Sequence, residues 1–525
     1  KNNIHYYAFY DHRSGDGWRD NSRFFADAGF ATITYKTSKK TSMTLEMTSS
    51  HNRSQQPGGL TDSSFLSDAS NSIRSRNWFD VSWKIPSISI DVAINEKTKW
   101  NTKVFAILGS RKSVGFVSPV TIADTINAST LEYNNRSLQS DTYKNIGMES
   151  RIITEYRLGK MKNTFAGGIR AYYGKTSRLA NGKGSTSVNY DMTPIGNYAA
   201  DLEFGSKNLA LYAENIFKIG KRVMVIPGLR YEWVTCEASG RNGYDNVGKD
   251  IFIRNIAKSR NFIIAGISSE YQITDKTEIY SGISQAFRPI LFASLQAPPT
   301  TDSVDANLTD SRGYNLDLGY RGTIKNILQF DISLFRLRYL NRIGSFQNPG
   351  AAYRLITNLG NSNCIGIEIM ADMDVLGLIV PSSKTELHLF GAYSNLSAKY
   401  EEDYEDANIR GKQVENVPQQ IFRGGVTLDR ENFKITGQLS YVGKCFSDAA
   451  NTLLPSANSL IGLIPSYTVI DGFAEYKIKQ NMTLKTGVNN IANASYFTRR
   501  AGGYPGPGLL PADGRTFFVS WEAKF

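Results

Sequence analysis

The 525-residue chain is 41% hydrophobic and 21% charged with a mean hydropathy of -0.32, a balance that excludes both a disordered polymer and a bundle of membrane helices. No stretch approaches the roughly 18 apolar residues that a membrane-spanning helix needs, and the oiliest short run, Leu376 to Val380, stops at Pro381. Sixty Lys plus Arg against 48 Asp plus Glu give a net charge of +12, a sign that suits nucleic acid, anionic lipid or an acidic small molecule alike. The chain is rich in Gly, Tyr and Phe, as many short strands with turns would be.

In chain order, alternation predicts twenty strands near residues 1–12, 26–36, 41–53, 74–94, 99–116, 143–158, 163–179, 206–218, 221–237, 260–273, 276–287, 312–323, 327–342, 353–373, 384–401, 418–428, 432–446, 467–479, 481–497 and 515–525. The connections alternate in length. Brief turns at 36–41, 95–99, 159–163, 218–222, 273–277, 323–326, 375–383, 429–432 and 478–481 exchange with long polar segments at 51–72, 117–142, 179–205, 238–259, 288–311, 402–417, 447–466 and 498–514. A soluble sandwich has no reason to keep short turns at one end and long loops at the other, whereas an outer-membrane barrel does.

Period-two patterning supports the same reading. Phe517, Val519, Trp521, Ala523 and Phe525 fall on one face, and Thr516, Phe518, Ser520, Glu522 and Lys524 on the other. Met43, Leu45 and Met47 alternate with Thr44, Glu46 and Thr48, and Ile365, Ile367, Ile369 and Ala371 with Gly366, Glu368, Met370 and Asp372. Trp78, Trp83, Trp100, Trp233 and Trp521 lie near strand ends, where interfacial girdles form. Residues 326–341 are less regular, because Arg336 and Arg338 continue the face begun by Phe330, Ile332 and Leu334; a bulge or arrival at the headgroup zone accounts for it. No repeat or linker divides the chain, so residues 1–525 read as one domain.

No catalytic constellation emerges. His5, His12, His51 and His388 are dispersed, without an HExxH pair, and no GxSxG elbow is present. An outer-membrane hydrolase would need a Ser/His or Asp/His pair, for which His388, expected to face inward, is the first histidine to inspect. Cys236, Cys364 and Cys445 are too few and scattered for a disulfide framework or a zinc site and read as structural thiols. The acidic run Glu401, Glu402, Asp403, Glu405 and Asp406 lacks the spacing of a calcium loop and reads as solvated charge. More informative are RSQQPGGLTD at 53–62, AFRPIL at 286–291 and YFTRRAGGYPGPGLLPADGR at 496–515. They set arginine, whose planar fork captures carboxylates, among Pro and Gly that fix loop shape. The competing role for each arginine is bracing a loop or meeting lipopolysaccharide phosphate.

These segments, with SGDGWRDNS at 14–22, ENIFKIGKRVMVIPGLRYE at 214–232, ISQAFRPILFASL at 283–295, GYNLDLGYRG at 313–322, IPSYTVIDGFAEYKI at 464–478 and the whole of 487–525, resemble TonB-dependent outer-membrane receptors, and more narrowly their ferric dicitrate branch. The likeness spans essentially the whole chain. It implies an all-β transmembrane antiparallel barrel in the bacterial outer membrane, with 22 strands in the family, and a non-enzymatic receptor that binds a ferric chelate outside and imports it on TonB-supplied energy. Lys1-Asn2-Asn3-Ile4 resembles the start of the third barrel strand, so the plug and opening hairpin are expected to be missing from this sequence; twenty strands plus two give the family number. The resemblance implies no resident cofactor or metal, the ferric chelate being cargo. It implies as partners the TonB-ExbB-ExbD system acting through a plug, outer-membrane lipid and lipopolysaccharide, and a surface lipoprotein, but not nucleic acid. The residues expected to meet ligand are Arg53, Gln55, Gln56, Arg288, Arg499, Arg500 and Tyr504, all in the motif-bearing loops. Two other classes stay open: a plugless passive pore or structural subunit, and the hydrolase.

Overall fold

A strand's N–H and C=O groups stay unpaired until a neighbour supplies partners, so alternating Ile-, Val-, Thr- and aromatic-rich segments assemble edge to edge. The computed structural model describes residues 3–290, 302–305, 307–346, 354–403, 408–503 and 507–524. Twenty of its strands form one large antiparallel sheet. The chain divides into two compact units, the first comprising Lys1–Ile219, Val225–Gly266 and Gly502–Gly508, the second Gly220–Met224, Ile267–Ala501 and Leu509–Phe525.

The first unit is built on β1 (Ile4–Gly15), β2 (Phe24–Lys36), β3 (Thr41–Gln55), β4 (Trp78–Ala93), β5 (Thr98–Gly115), β6 (Ser137–Leu158), β7 (Met161–Lys183), β8 (Ala200–Ile219), β9 (Val223–Tyr244) and β10 (Asp250–Thr274). Directly opposed residues share a face, so the register carries one row across the sheet: Ile33, Leu45, Ile88, Val104 and Met148 follow one another from β2 to β6. The opposite face is polar. There Thr34 and Thr44 join hydroxyls at 2.9 Å, and Glu46 accepts from Lys103 at 2.7 Å and Ser87 at 3.0 Å. Among the described residues none packs over the apolar face in this band, and Leu45 is 47% exposed.

The second unit repeats the plan with Thr277–Arg288, Ser311–Ile324, Leu328–Leu340, Ser362–Asp374, Thr385–Tyr400, Gln420–Arg430, Phe433–Val442, Tyr467–Lys479, Met482–Asn489 and Thr516–Ala523. In the last strand Phe517, Val519 and Trp521 are 73%, 75% and 61% exposed against 38% for Phe518, which is the face division the alternation predicted. Under its loops Leu359, Ala398, Tyr400, Ile409, Val414 and Ala449 form a buried apolar cluster.

Three expectations are corrected, and of the two alternatives for residues 326–341 one is excluded. The segment 238–259 is not a long loop, because β9 runs to Tyr244 and β10 begins at Asp250. The hairpin tip is closed by Asp245, whose carboxylate accepts from the Val247 and Lys249 amides, and the polar residues of the extension carry no apolar alternation to mark them. The strand expected at 353–373 is two: Arg354–Asn358 pairs with Asp302–Val304 and Ile343–Phe346 in a small separate sheet, and Gly360, at φ +93°, turns the chain before Ser362–Asp374. Leu328–Leu340 has no bulge, its register being unbroken toward both neighbours. Arg336 instead donates to Asn363 at 3.0 Å and Arg338 pairs with Glu401 at 2.9 Å, as polar ends of an otherwise apolar face do. Finally, Trp78 and Trp83 belong to no girdle: Trp78 is buried against Val114 and Leu138, and Trp83 stacks on Tyr143 on the polar face at 5.1 Å. Gly109 makes that stack possible, since a Cβ there would stand 2.3 Å from the indole. Trp100, exposed and donating to Ser150 at 2.9 Å, keeps the interfacial position.

Candidate functional site

On the polar face of the first unit the register sets Arg111, Asp141 and Arg178 directly across from one another on β5, β6 and β7. Asp141 is fully buried; Arg178 grips it with two bonds of 2.9 and 3.1 Å, Arg111 approaches to 3.9 Å and the Tyr143 hydroxyl donates at 3.2 Å. Two cations on one carboxylate leave the group net positive. Further along the same face Tyr212 donates to Glu149 at 3.3 Å, and Glu232 receives Arg230 and Asn208. Beside them Arg170 has a buried Nε with no hydrogen-bond partner, an unspent donor in a polar surround. Such a surface of fixed guanidinium and phenol groups can take up a carboxylate-bearing anion by exchanging partners.

The long connections at this end are braced by arginine. Arg74 donates to the carbonyls of Ile122, Ser118 and Pro119. Arg76 is buried against Asp124 at 2.6 Å, and Arg136 spans to the carbonyls of Arg76 and Asn189. These three guanidiniums tie the segments 56–77, 116–136 and 184–199 into one body. A short helix, α1 (Asp62–Ser67), capped by the Thr61 hydroxyl, lies in the first of them.

The residues that sequence singled out divide by environment. Arg53 lies on the face that carries Leu45 and Met47; it bonds Asp80 at 2.7 Å and packs over Tyr190, 4.0 Å from the ring centre. With Arg23, Phe25, Trp78 and Asn189 it lines a hollow of about 520 Å³. Burial and the nearby Asp80 push the Tyr190 phenol up to about 12, so it is a neutral hydroxyl donor. Gln55 donates to the Ser75 carbonyl at 2.6 Å and Gln56 to the Ser54 hydroxyl at 2.7 Å. In the second unit Arg500 is held by the carbonyls of Ser459 and Leu463 at 3.1 and 3.0 Å, while its neighbour Arg499 is exposed. Arg288 is exposed at the end of its strand, opposite Ser311. Tyr504 lies outside the described residues, as do Glu405 and Asp406. Of the acidic run, Glu401 pairs with Arg338, Glu402 accepts from Asn361 and Asp403 from the Arg410 amide; among the described residues no cluster could hold a metal ion.

His388 falls on the polar face, opposite Asp374. Its Nδ1 stands 2.7 Å from Asp372 and its Nε2 3.4 Å from Glu386. Both ring nitrogens thus face carboxylates and neither is offered to a serine. Sequence reasoning missed Arg111, Asp141, Arg170 and Arg178. Their signal was parity: each alternates with a residue of the apolar face, as Glu149 does with Met148 and Asn145 with Ile146.

Comparison with known proteins agrees with this fold. The solved ferric citrate transporter FecA, in its unliganded form, superposes over 100% of this chain and 74% of its own with a TM-score of 0.84 at 20% identity. The siderophore receptor PiuA from Acinetobacter baumannii does so over 100% and 78% with a TM-score of 0.77 at 15% identity. The metal-pseudopaline receptor CntO of Pseudomonas aeruginosa is 23% identical over 262 residues, 49% of this chain and 32% of that protein. The curated PiuA sequence aligns over 14% of its length, so this chain spans well under half of the curated relatives it matches. The model for TonB dependent receptor-like β-barrels matches residues 3–491, and the chain belongs to that family of outer-membrane barrels, whose watery interior is lined by the polar face.

Proposed function

We propose that this chain is the barrel of a receptor that binds a ferric chelate, anionic and dicitrate-like, and admits it with energy delivered through TonB. The observation that carries the reading is the family match combined with a polar face whose guanidiniums outnumber the carboxylate between them at Asp141. The three similar proteins named above, a ferric citrate transporter, a siderophore receptor and a metal-pseudopaline receptor, share one cargo class, a metal held by an organic chelator. No covalent chemistry is required: release follows from different affinities in the resting and energised states. Arg288 and Arg499, exposed at loop roots, are the proposed first contacts with Tyr504, while Arg53, Gln55, Gln56 and Arg500 brace the connections in which each lies.

The test is uptake of radioactive iron by cells producing the complete natural protein. Ferric dicitrate, a catecholate chelate and a hydroxamate chelate are each offered with and without the proton-motive force. Saturable, energy-dependent uptake of ferric dicitrate is expected, and Arg288→Ala with Arg499→Ala should weaken it about ten-fold or more by removing two charge-assisted contacts. Equal uptake of all three chelates, or an unchanged double variant, would remove the dicitrate assignment. Large steady conductance in a planar bilayer, without saturable uptake, would establish the passive pore instead.

A further inference from the structure

Short turns mark the periplasmic end of an outer-membrane barrel, and at that end of the first unit the polar, inward face gathers cations. Lys36 on β2 opposes Ser42 on β3, Ser42 opposes Asp91 on β4, Asp91 opposes Asn101 on β5, and Asn101 opposes Arg151 on β6. In the row nearer the turns the Lys40 carbonyl accepts the Ala93 amide, Ala93 opposes Lys99, and Lys99 opposes Ile153. Both rows share the parity of Glu46 and Lys103, whereas Thr41, Val92, Trp100 and Ile152 between them belong to the lipid side. Lys36, Lys40, Lys99 and Arg151 line one hollow of about 350 Å³ together with Ser42 and Asn101, a size that takes a small molecule.

The charge in this hollow is not answered by the protein. All four cations are exposed, and none has a side-chain hydrogen bond or ion pair among the described residues. Asp91, the acid of the lining, already accepts from the Asn101 amide at 2.7 Å, and Glu96 and Glu155 on the neighbouring turn and strand do not line the hollow. The next row inward is different, because Lys103 there bonds Glu46 at 2.7 Å and Glu149 accepts from Tyr212 at 3.3 Å. The surplus is therefore confined to the mouth, and β5 covers about 33 Å between Asn101 and the Arg111 cluster. A concave surface lined by one sign of charge concentrates counter-ions of the other. Lys40 and Lys99 stand two strands apart, about 10 Å at the backbone, so a single compact anion meets few of these groups at once. Several carboxylates on one small molecule meet them together.

We infer that Lys36, Lys40, Lys99 and Arg151 form a second anion site, at the periplasmic mouth of the interior, that takes a small polycarboxylate and receives the chelate as it leaves. The leaving role rests on the proposed import of an anionic chelate; the binding does not. Equilibrium dialysis of the complete natural protein in detergent against radioactive, iron-free citrate reads the site without transport. It is done on the Arg288→Ala/Arg499→Ala protein, so that the proposed outer contacts do not contribute. Adding Lys36→Ala, Lys40→Ala, Lys99→Ala and Arg151→Ala should weaken citrate binding at least about ten-fold, and added salt should weaken it as well. Adding instead Lys160→Ala, Lys162→Ala, Lys218→Ala and Lys221→Ala, at two other short turns, should leave it unchanged. Heat-modifiable mobility on a gel reports folding; if the first set does not fold, Lys40→Gln/Lys99→Gln is used, with a smaller loss in the same direction. In the iron-uptake assay the first set alone should lower the maximal rate several-fold and leave half-saturation where the outer contacts set it. Unchanged citrate binding in a folded variant, or an equal loss in the control set, would overturn the site. So would a poly-glutamate peptide held by the same four residues about ten-fold more tightly than citrate, since the mouth would then receive an acidic protein segment. An unmoved maximal rate would overturn the leaving role. Citrate binding lost with the four cations, in a protein that takes up no ferric dicitrate, would remove the proposed function and keep the site; normal uptake without citrate binding here would do the reverse.

Discussion

Asp141 shows how one carboxylate decides the state of a whole cluster. It is inaccessible to solvent and carries the bonds of Arg178 and Tyr143 with Arg111 nearby. Removing one member of a buried pair leaves the partner's charge uncompensated, which is why such deletions cost about 3–5 kcal/mol. Arg178 keeps some contact with water and Arg111 more, so Asp141→Ala is expected at the low end of that range and Asp141→Asn, which still accepts a bond, below it. Urea midpoints of the folded protein in lipid vesicles measure the difference; equal midpoints for all three proteins would show that the cluster contributes nothing to stability. If Asp141 also competes with cargo for the two arginines, Asp141→Asn should tighten chelate binding while it loosens the fold.

The long connections are held in large part by side chains rather than by the pairing of the main sheet, and this sets what could be read in advance. The positions of the short turns and of the twenty sheet strands were legible, though not all their boundaries, because two-residue periodicity and turn chemistry are local properties. The tie that Arg76 makes to Asp124, or Arg136 to the Asn189 carbonyl, joins residues tens of positions apart, and no periodicity announces it. For the same reason the partners of Arg53, Gln55 and Arg500 could not be read in advance. One of these ties responds to acid. Asp191 accepts from the Thr193 amide at 2.9 Å and the Ser185 hydroxyl at 2.7 Å, and these bonds hold its carboxyl below the usual carboxylate range. A carboxyl whose folded value is depressed contributes stability above its unfolded value, and that stability is lost as pH falls through the folded one. The segment 184–199 should therefore resist pepsin just above the ordinary carboxylate range and become cleavable below it. Asp191→Asn should be cleaved equally on both sides of that window. A wild-type loop indifferent to acid would show that the bonds of Asp191 are not what fixes it.

At the scale of the molecule the argument rests on which face meets hydrocarbon. Both faces of a soluble sheet can be half polar, but here the row Ile33, Leu45, Ile88, Val104 and Met148 is apolar across five strands while the adjacent positions Thr44, Glu46, Ser87 and Lys103 are polar and bonded to one another or to their neighbours. That division was visible in single strands before any register was known, and the register adds that the strands agree with one another. On β5 the row crosses at Val104, midway between Trp100, toward the short turns, and Leu108, toward the long connections. Leu45 thus sits near the middle of the band, where an arginine on the lipid side of a barrel costs about 2–4 kcal/mol. Leu45→Arg should lower the unfolding free energy by about that amount in vesicles, whereas Thr48→Arg, exposed on the polar face of the same strand three residues on, should change it little. Because a one-residue slip exchanges every face of a strand, this pair of substitutions reads the orientation directly. If the two costs were reversed, the polar face would be the one against lipid, and the cargo path proposed above would fall.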